Sequence, residues 1–533
     1  MKNTVLKGTI ILIASSLIAK ILGAIYRVPL VGLIGTNGIG LFQLIFPIYA
    51  LFLVIASTGL TTAVAKIVSI NVNENKCQYV KQFMRLSLIF SFFVGLFFSV
   101  LLTLLAPLIA NIQGYFDARV CYYVIAPSIL FVCIISTIKG YFQGLQNMLP
   151  SAISQVVEQL AKLIFALLLS KIMIKNGMIY GVCGSLLGVT ISEVCCVLFL
   201  LITYLVKKKN FYISVVNENE YQYSKKDMIK LLIRESVSIM LGGMILPMVS
   251  AIESVLIVYL LSKASIGKDV ALRIYGLEDG MVGSLINMPI VVAVAISTAL
   301  LPNLTADFNK NNFELVKSKC EIAIKYVLLI SMPCALIYLA FADKIIYFLY
   351  ANGLNFSKLD QFLIATNLLK FSSINIVYLS LLNTLTMILQ AINKNFIPVR
   401  NLIIASSIKL ILNFVIVTNP AFNIYGIVIT DIICYSASCL MNIISIKKVI
   451  DIKLQLSKCF VFPIIALGVT FATMKICDIL LINILGSRVI LIISTMVGMT
   501  AYFLVLLATK VFTKQELSML PKIRPKKTKM ILW

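Results

Sequence analysis

The chain has 533 residues, of which 60% are hydrophobic and only 13% charged, and its formal net charge is +25 with no histidine. A soluble protein carries about twice that share of charged residues, so the composition excludes a soluble globular fold and indicates a polytopic membrane protein. The lack of histidine excludes histidine-based catalysis, and the basic residues lie in short loops between apolar runs, a distribution that the positive-inside rule explains better than a nucleic-acid surface.

Fourteen apolar runs long enough to cross a bilayer follow one another along the chain. They predict transmembrane helices at 8–34, 42–69, 84–110, 120–140, 152–175, 179–206, 231–261, 272–302, 321–342, 361–389, 398–418, 423–446, 459–483 and 488–510. The twelve cysteines contain no CxxC pair and most of them lie within these runs, so no metal or cofactor is predicted. The predicted fold is an all-α polytopic membrane protein with about fourteen transmembrane helices.

The orientation follows from lysine and arginine in the loops. With the N-terminus inside, the cytoplasmic segments hold about thirty basic residues and the opposite side about nine. This predicts a multi-pass protein of the cell membrane with both termini cytoplasmic, Gln113 outside and Asn217 inside.

Two segments of the chain resemble each other and indicate an internal repeat. Gln143 precedes Lys162 by 19 residues, and Gln390 precedes Lys409 by the same 19 residues, each pair joining the fourth and fifth span of its half. Six spans per repeat is an even number, so the repeats have the same orientation in the membrane. The predicted organisation is an N-terminal lobe at 1–206, a cytoplasmic linker at 207–230, a C-terminal lobe at 231–450, two extra helices at 451–511 and a basic cytoplasmic tail at 512–533.

The first span contains two cations, Lys20 and Arg27, and no acidic residue. A charge near the bilayer centre costs about 2.5–3.5 kcal/mol unless it finds water or a partner. Arg27 lies near one end and is able to snorkel to the interface, but Lys20 is about 15 Å from either surface. The two residues therefore predict a water-filled cavity for an anion, in which both bind substrate.

Acidic residues within the spans supply further candidates. Glu158 and Lys162 are four residues apart in the favourable order and predict a structural ion pair. Glu253 lies mid-span in the first helix of the second half, and Asp279 lies near the start of span eight. Both are candidate substrate-binding residues. A buried carboxylate in a membrane is in one of three states: protonated, paired with a cation, or used to bind ions.

The opening of the chain resembles a known family. The residues that carry the resemblance are Lys20-Ile-Leu-Gly-Ala-Ile-Tyr-Arg27, Ile34-Gly35, Gly38-Ile-Gly-Leu-Phe-Gln43, Phe46-Pro-Ile-Tyr49, Lys139-Gly-Tyr-Phe-Gln-Gly-Leu-Gln-Asn-Met148 and Ala299-Leu-Leu-Pro302. They are similar to the MurJ-like flippase and stage V sporulation protein B group of the multidrug/oligosaccharidyl-lipid/polysaccharide (MOP) exporter superfamily.

The resemblance implies two six-helix lobes around a V-shaped cationic cavity, with two C-terminal helices forming a groove for a polyprenyl tail. It also implies that a basic residue on the first helix engages the lipid-linked precursor. Lys20 stands where the MurJ pattern usually has arginine, and Arg27 is displaced by one residue from that pattern's second arginine. The span at Leu51–Val64 lacks the arginines of the Gram-negative branch, which favours the sporulation-protein branch.

The predicted function is a flippase, and not an enzyme, for an undecaprenyl-pyrophosphate-linked peptidoglycan or polysaccharide precursor. Its predicted partners are this lipid-linked oligosaccharide and membrane lipids, with a coupling ion left open, no nucleic acid and a monomeric state. The main alternative is a cation-coupled multidrug exporter of the same superfamily, which would use Glu253, Asp279 or Glu193. A membrane enzyme acting on the same precursors is a third class, but no outer loop is long enough to hold its catalytic residues.

Overall fold

A computed structural model describes residues 2–213, 224–350, 359–452, 457–481 and 486–511, and every regular element in these ranges is a helix. The first half contains α1 Lys2–Ile25, α2 Arg27–Leu53, α3 Gly59–Asn73, α4 Cys77–Ile112, α5 Arg119–Ile125, α6 Pro127–Gly144, α7 Leu149–Met173 and α8 Met178–Ile213. The second half contains α9 Lys225–Gly243, α10 Ile245–Lys263, α11 Lys268–Tyr275, α12 Gly283–Asn309, α13 Phe313–Tyr350, α14 Leu359–Ser372, α15 Asn375–Ala391, α16 Phe396–Ile416, α17 Tyr425–Lys447, α18 Phe462–Leu481 and α19 Ser487–Ala508.

The number of membrane spans agrees with the prediction. Twelve described stretches are long and apolar enough to cross a membrane, and the pair Asp360–Ser372 and Asn375–Ala391, bent by 41°, supplies a thirteenth. One of the twelve, Ala14–Asn73, has 60 residues, or about 90 Å of helix against a hydrocarbon core of about 30 Å. It therefore contains two spans, and the described residues form about fourteen, which confirms the all-α membrane fold.

The first span ends where the sequence predicts, but it is bent. The helix is interrupted at Tyr26 because Pro29 has no N–H to donate to the carbonyl of Ile25. Helical hydrogen bonds from Tyr26 to Leu22 (3.1 Å) and from Leu30 to Tyr26 (3.3 Å) continue the path. The true break is Gly35, whose φ of 70° lies in the left-handed region that favours glycine.

Helices extend into both ends of the predicted linker at 207–230. Helix α8 continues to Ile213, and α9 begins at Lys225 behind Ser224, which accepts a hydrogen bond from the backbone N–H of Asp227 at 3.4 Å. Part of the 207–230 segment is therefore helical. Asn217 and the basic tail at 512–533 lie outside the described residues, and the assignment of the two halves to repeated lobes stays a prediction.

The two halves meet along a seam where glycines bring backbones together, formed by residues 36–43 of α2 and residues 268–282. A Cβ on Gly40 would overlap the carbonyl oxygen of Leu272, and one on Gly276 would overlap the carbonyl oxygen of Thr36. Small residues permit such close approach between membrane helices. The seam thus fixes residues 36–43 of α2 against the second half.

Polar side chains reinforce this end of the molecule. Arg273 donates to the amide oxygen of Asn37 at 3.0 Å, and the hydroxyl of Tyr115, in the loop after α4, donates to Asp269 at 3.0 Å. Burial and this hydrogen bond raise the pKa of Tyr115, so the phenol stays protonated and remains a donor. Both contacts join the first half to the second.

The last two spans pack on α13. Lys344 of α13 forms an ion pair with Asp478 of α18, and the hydroxyl of Tyr502 on α19 donates to the carbonyl of Leu329 at 3.1 Å. The ammonium of Lys325 donates to the carbonyl of Val511, just after α19, at 3.1 Å. The additional pair of helices is therefore attached to the second half of the chain.

Candidate functional site

A cavity of about 420 Å³ lies between α1 and the second half of the chain. Its first wall contains Lys20 and Arg27 together with the small residues Gly23 and Ala24. Its second wall, from α12 and α15, is apolar except for Ser284, Asn287 and Asn383. We call this space the cationic cavity. Lys20 and Arg27 thus line one cavity, and their binding of an anionic substrate stays a prediction.

Contacts with α7 fix the position of α1. Ser15 and Ser16 donate to the amide oxygen of Gln155 at 3.2 and 3.0 Å. Gly23 lies so close to α7 that a Cβ there would be 3.2 Å from the amide oxygen of Gln159. These bonds turn the serine face of α1 toward α7.

Neither cation of the cavity forms an ion pair within the described part of the chain. There no carboxylate oxygen lies within 4.0 Å of either Lys20 or Arg27. Arg27 is within electrostatic range of Asp279 without contacting it. Two cations that line one cavity without a carboxylate in contact attract an anion.

A second, smaller space of about 110 Å³ is lined mainly by the second half, with Pro47 of α2 as its contact from the first half, and we call it the acidic chamber. Glu253, Glu278, Asp279 and Asp431 line it together with the ammonium of Lys409. Glu278 and Asp279 reach it from the π-helical turn Gly276–Val282 between α11 and α12. Glu253 and Asp279 therefore line this chamber and not the cavity that Lys20 and Arg27 line.

Lys409 is the centre of the acidic chamber. Its ammonium lies 2.5 Å from Glu253 and 2.5 Å from Asp431, and the residue is only 5% exposed. Asn413, one turn further along α16, donates to Glu253 at 3.2 Å and accepts a hydrogen bond from Thr430 at 2.6 Å. This network joins α10, α16 and α17 through buried charge.

Asp279 faces the seam rather than the ion triad. The amide of Gln43 on α2 donates to its carboxylate, so this acid also connects the two halves of the chain. Sequence reasoning missed Gln43, and its place within an otherwise apolar span is the signal that was available.

The predicted pair of Glu158 and Lys162 is replaced by other contacts. Glu158 is 3.4 Å from Lys139 of α6, and the ammonium of Lys162 lies over the ring of Tyr26 at 5.0 Å. Glu193 is buried within electrostatic range of all three residues. Glu158 therefore pairs with Lys139 of a neighbouring helix and not with Lys162 on its own helix. The rule for residues four positions apart considers only partners on the same helix.

The family follows from the sequence itself. The profile described as polysaccharide biosynthesis protein matches residues 5–306, which is more than half of the chain. The chain belongs to this family. The MatE profile matches residues 280–415, and both matches agree with the superfamily that the opening helix resembles.

The polysaccharide biosynthesis protein family includes relatives with known names. The chain is 26% identical over 98% of its length to stage V sporulation protein B of Bacillus subtilis (strain 168), of which it covers 98%. It is 27% identical to the lipid II flippase MurJ of the same organism, covering 84% of this chain and 83% of that protein. This similarity extends over the described helices of both halves.

Solved structures share the fold. The lipid II flippase MurJ in an inward closed conformation aligns with a TM-score of 0.68 at 15% identity, covering 93% of this chain and 98% of that chain. An inward-facing multidrug resistance MATE family transporter of the MOP superfamily aligns with a TM-score of 0.62 at 16% identity, covering 80% and 95%. The fold of this family member is therefore that of MOP-superfamily transporters.

Proposed function

We propose that this protein is a flippase that moves an undecaprenyl-pyrophosphate-linked peptidoglycan or polysaccharide precursor across the cytoplasmic membrane by alternating access. One observation carries the proposal: Lys20 and Arg27 line a cavity of about 420 Å³, and no carboxylate of the described residues pairs with either. The names of the family and of its relatives, a lipid II flippase among them, support the same substrate class.

The two cations suit a pyrophosphate in different ways. The planar guanidinium of Arg27 is able to bind two phosphate oxygens at once, whereas the ammonium of Lys20 acts as a point charge. The polyprenyl tail stays in the lipid while the headgroup enters the cavity. Because the cell interior is negative, returning the empty cationic cavity inward is favoured by about 2.3 kcal/mol per charge per 100 mV.

Alternating access requires that the two halves separate at one end at a time. The seam joins the halves through residues 36–43 of α2, and a second contact joins α3 to α9, where Lys66 lies 2.7 Å from Glu235. A Cβ on Gly59, at the start of α3, would overlap the backbone of Ser236. In the proposed cycle these two contacts open in turn, and each opening exposes the cavity to one side of the membrane. Both walls come from a single chain, so a monomer is sufficient for this cycle.

The acidic chamber is the observation that favours the alternative of a cation-coupled drug exporter. Its volume of about 110 Å³ is well below the 300–1,000 Å³ typical of sites for drug-sized ligands. Lys409 already pairs with two of its carboxylates. The chamber therefore fits a proton or a small ion, and the larger cavity would repel an organic cation.

The proposal is tested by depletion combined with reconstitution. Depleting the protein should make one lipid-linked precursor accumulate on the cytoplasmic side. Liposomes containing the purified chain should move that same precursor, faster with a negative interior. Lys20→Ala should slow this movement by about 10- to 100-fold, whereas Lys171→Ala, at an exposed position on α7 away from the cavity, serves as the matched control. Equal movement by both variants, or export of organic cations by the parent, would refute the proposal.

A further inference from the structure

The second wall of the cationic cavity contains two amide side chains, each with one N–H group already used. Asn287 donates from Nδ2 to the carbonyl of Gly283 at 2.9 Å, and Asn383 donates from Nδ2 to the carbonyl of Leu379 at 2.8 Å. Each bond runs back along the residue's own helix by four positions. Each side chain retains its second N–H group and its carbonyl oxygen, Oδ1. In the described part of the chain neither oxygen accepts a hydrogen bond.

Ser284, the third polar residue on this wall, is committed in the same way. Its hydroxyl donates to the carbonyl of Met281, at 2.9 Å, one turn back along its own helix. The second wall therefore offers the cavity two amide oxygens as hydrogen-bond acceptors, beside one remaining N–H group on each amide. The rest of that wall is apolar, with Met288, Ile290 and Val291 among its residues.

The first wall has the opposite character. Lysine and arginine side chains carry only donors and no acceptor, and among the described residues Lys20 and Arg27 are the charged groups that line the cavity. The donor wall on α1 and α2 thus faces a wall on α12 and α15 that holds two free amide oxygens, which we call the acceptor wall. A ligand that satisfies both must present acceptors to the cations and O–H or N–H donors to the amide oxygens.

We infer that this cavity recognises the first sugar attached to the pyrophosphate, with Asn287 and Asn383 accepting hydrogen bonds from its hydroxyl or acetamido groups. The inference rests on the proposed function and adds the group that the second wall selects. Phosphate oxygens fill the donor wall, while only a ligand with adjacent donors reaches the amide oxygens of the acceptor wall. A bare lipid pyrophosphate has no donor for either amide oxygen, and a site built for a hydrogen bond discriminates against a ligand that lacks it.

The experiment compares two probes on the purified full-length chain in lipid nanodiscs. One probe is undecaprenyl pyrophosphate, and the other is undecaprenyl pyrophosphate carrying one N-acetylhexosamine. Asn287→Leu and Asn383→Leu keep approximate size but remove the amide. Each variant should weaken binding of the glycosylated probe by about three- to tenfold and leave binding of the bare pyrophosphate within about twofold.

A matched control separates the cavity from the helix. Asn71 makes the same kind of bond, from its Nδ2 to the carbonyl of Ile67 at 2.8 Å, on α3 and outside the cavity. Asn71→Leu should therefore leave both affinities unchanged. Thermal unfolding of each variant verifies that it is folded, and the ratio of the two affinities for each variant cancels any loss of active protein.

The outcomes distinguish this inference from the proposed function. Asn287→Leu and Asn383→Leu could lower the affinities for the glycosylated and the bare probe equally, or change neither affinity. In either case the amides do not recognise the sugar, and the inference is overturned while phosphate binding stands. If Lys20→Ala leaves both affinities unchanged, or if the parent binds neither probe, the proposed function itself fails.

Discussion

Lys409 offers the sharpest test of the buried charges in the second half. Its ammonium lies 2.5 Å from each of Glu253 and Asp431, and the residue as a whole is 5% exposed. Lys409→Met keeps the length of the side chain but leaves two carboxylates facing each other without a cation. Removing one partner of a buried ion pair destabilises a protein by about 3–5 kcal/mol, because the remaining charge is left uncompensated.

That free energy converts into a measurable shift. The entropy of unfolding is about 2.1 cal/mol/K per residue. For 533 residues the lost free energy of unfolding, divided by this entropy, lowers the apparent Tm by about 3–5 °C. Thermal unfolding of the purified chain in detergent measures it. Lys171→Met, at an exposed position, should leave the apparent Tm unchanged.

A rescue variant tests the cause of the shift. Glu253→Gln and Asp431→Asn remove both negative charges, so combining them with Lys409→Met should recover most of the lost stability. If the triple variant is no more stable than Lys409→Met, or if Lys409→Met unfolds like the parent, the ion triad does not hold α10, α16 and α17 together.

Three further predictions concern other parts of the molecule. Lys20→Ala should reduce transport by about 10- to 100-fold, because a charge-assisted hydrogen bond is lost. Lys20→Arg should keep part of the transport, and Lys20→Glu should transport less than the alanine variant. Complementation at equal protein levels measures this, and equal activity of the alanine and glutamate variants would contradict the anion cavity. Gly276→Ala would push a Cβ against the carbonyl of Thr36 and should destabilise the protein by about 1–3 kcal/mol, whereas Gly242→Ala, with open space around its Cβ, should be tolerated in the same unfolding assay. A chain ending at residue 455 should still insert into the membrane but lose transport of a long-chain lipid, as measured by fractionation and flipping assays, and full activity would show that α18 and α19 do not hold the tail.

The spans and the cationic cavity were predictable because a bilayer imposes simple constraints. Apolar runs of sufficient length must become helices, so the fold followed from hydropathy. Lys20 and Arg27 stood out because charges are expensive in such runs. Each of these signals belongs to one segment and needs no knowledge of its neighbours.

The pairing of side chains was not predictable, because it depends on which helices meet. Glu158 contacts Lys139 of another helix instead of Lys162, and Glu253 contacts Lys409, which is 156 residues away. Asn287 was missed for a different reason: a neutral amide is far cheaper to bury than a charge, so it gives little signal within an apolar run. Only the packed structure shows that it faces Lys20 across a cavity.

The seam of glycines has a mechanical consequence. Helices that pack through side-chain ridges and grooves are interlocked, and moving one past the other means lifting each ridge out of its groove. At Gly40, Gly276 and Gly280 one partner has no side chain at the point of contact, so there is little to disengage. Neighbouring polar contacts such as that of Arg273 with Asn37 are able to exchange their partner for water. The two halves are therefore able to move against one another at the seam without first unlocking interdigitated side chains, and to return to the same closed packing.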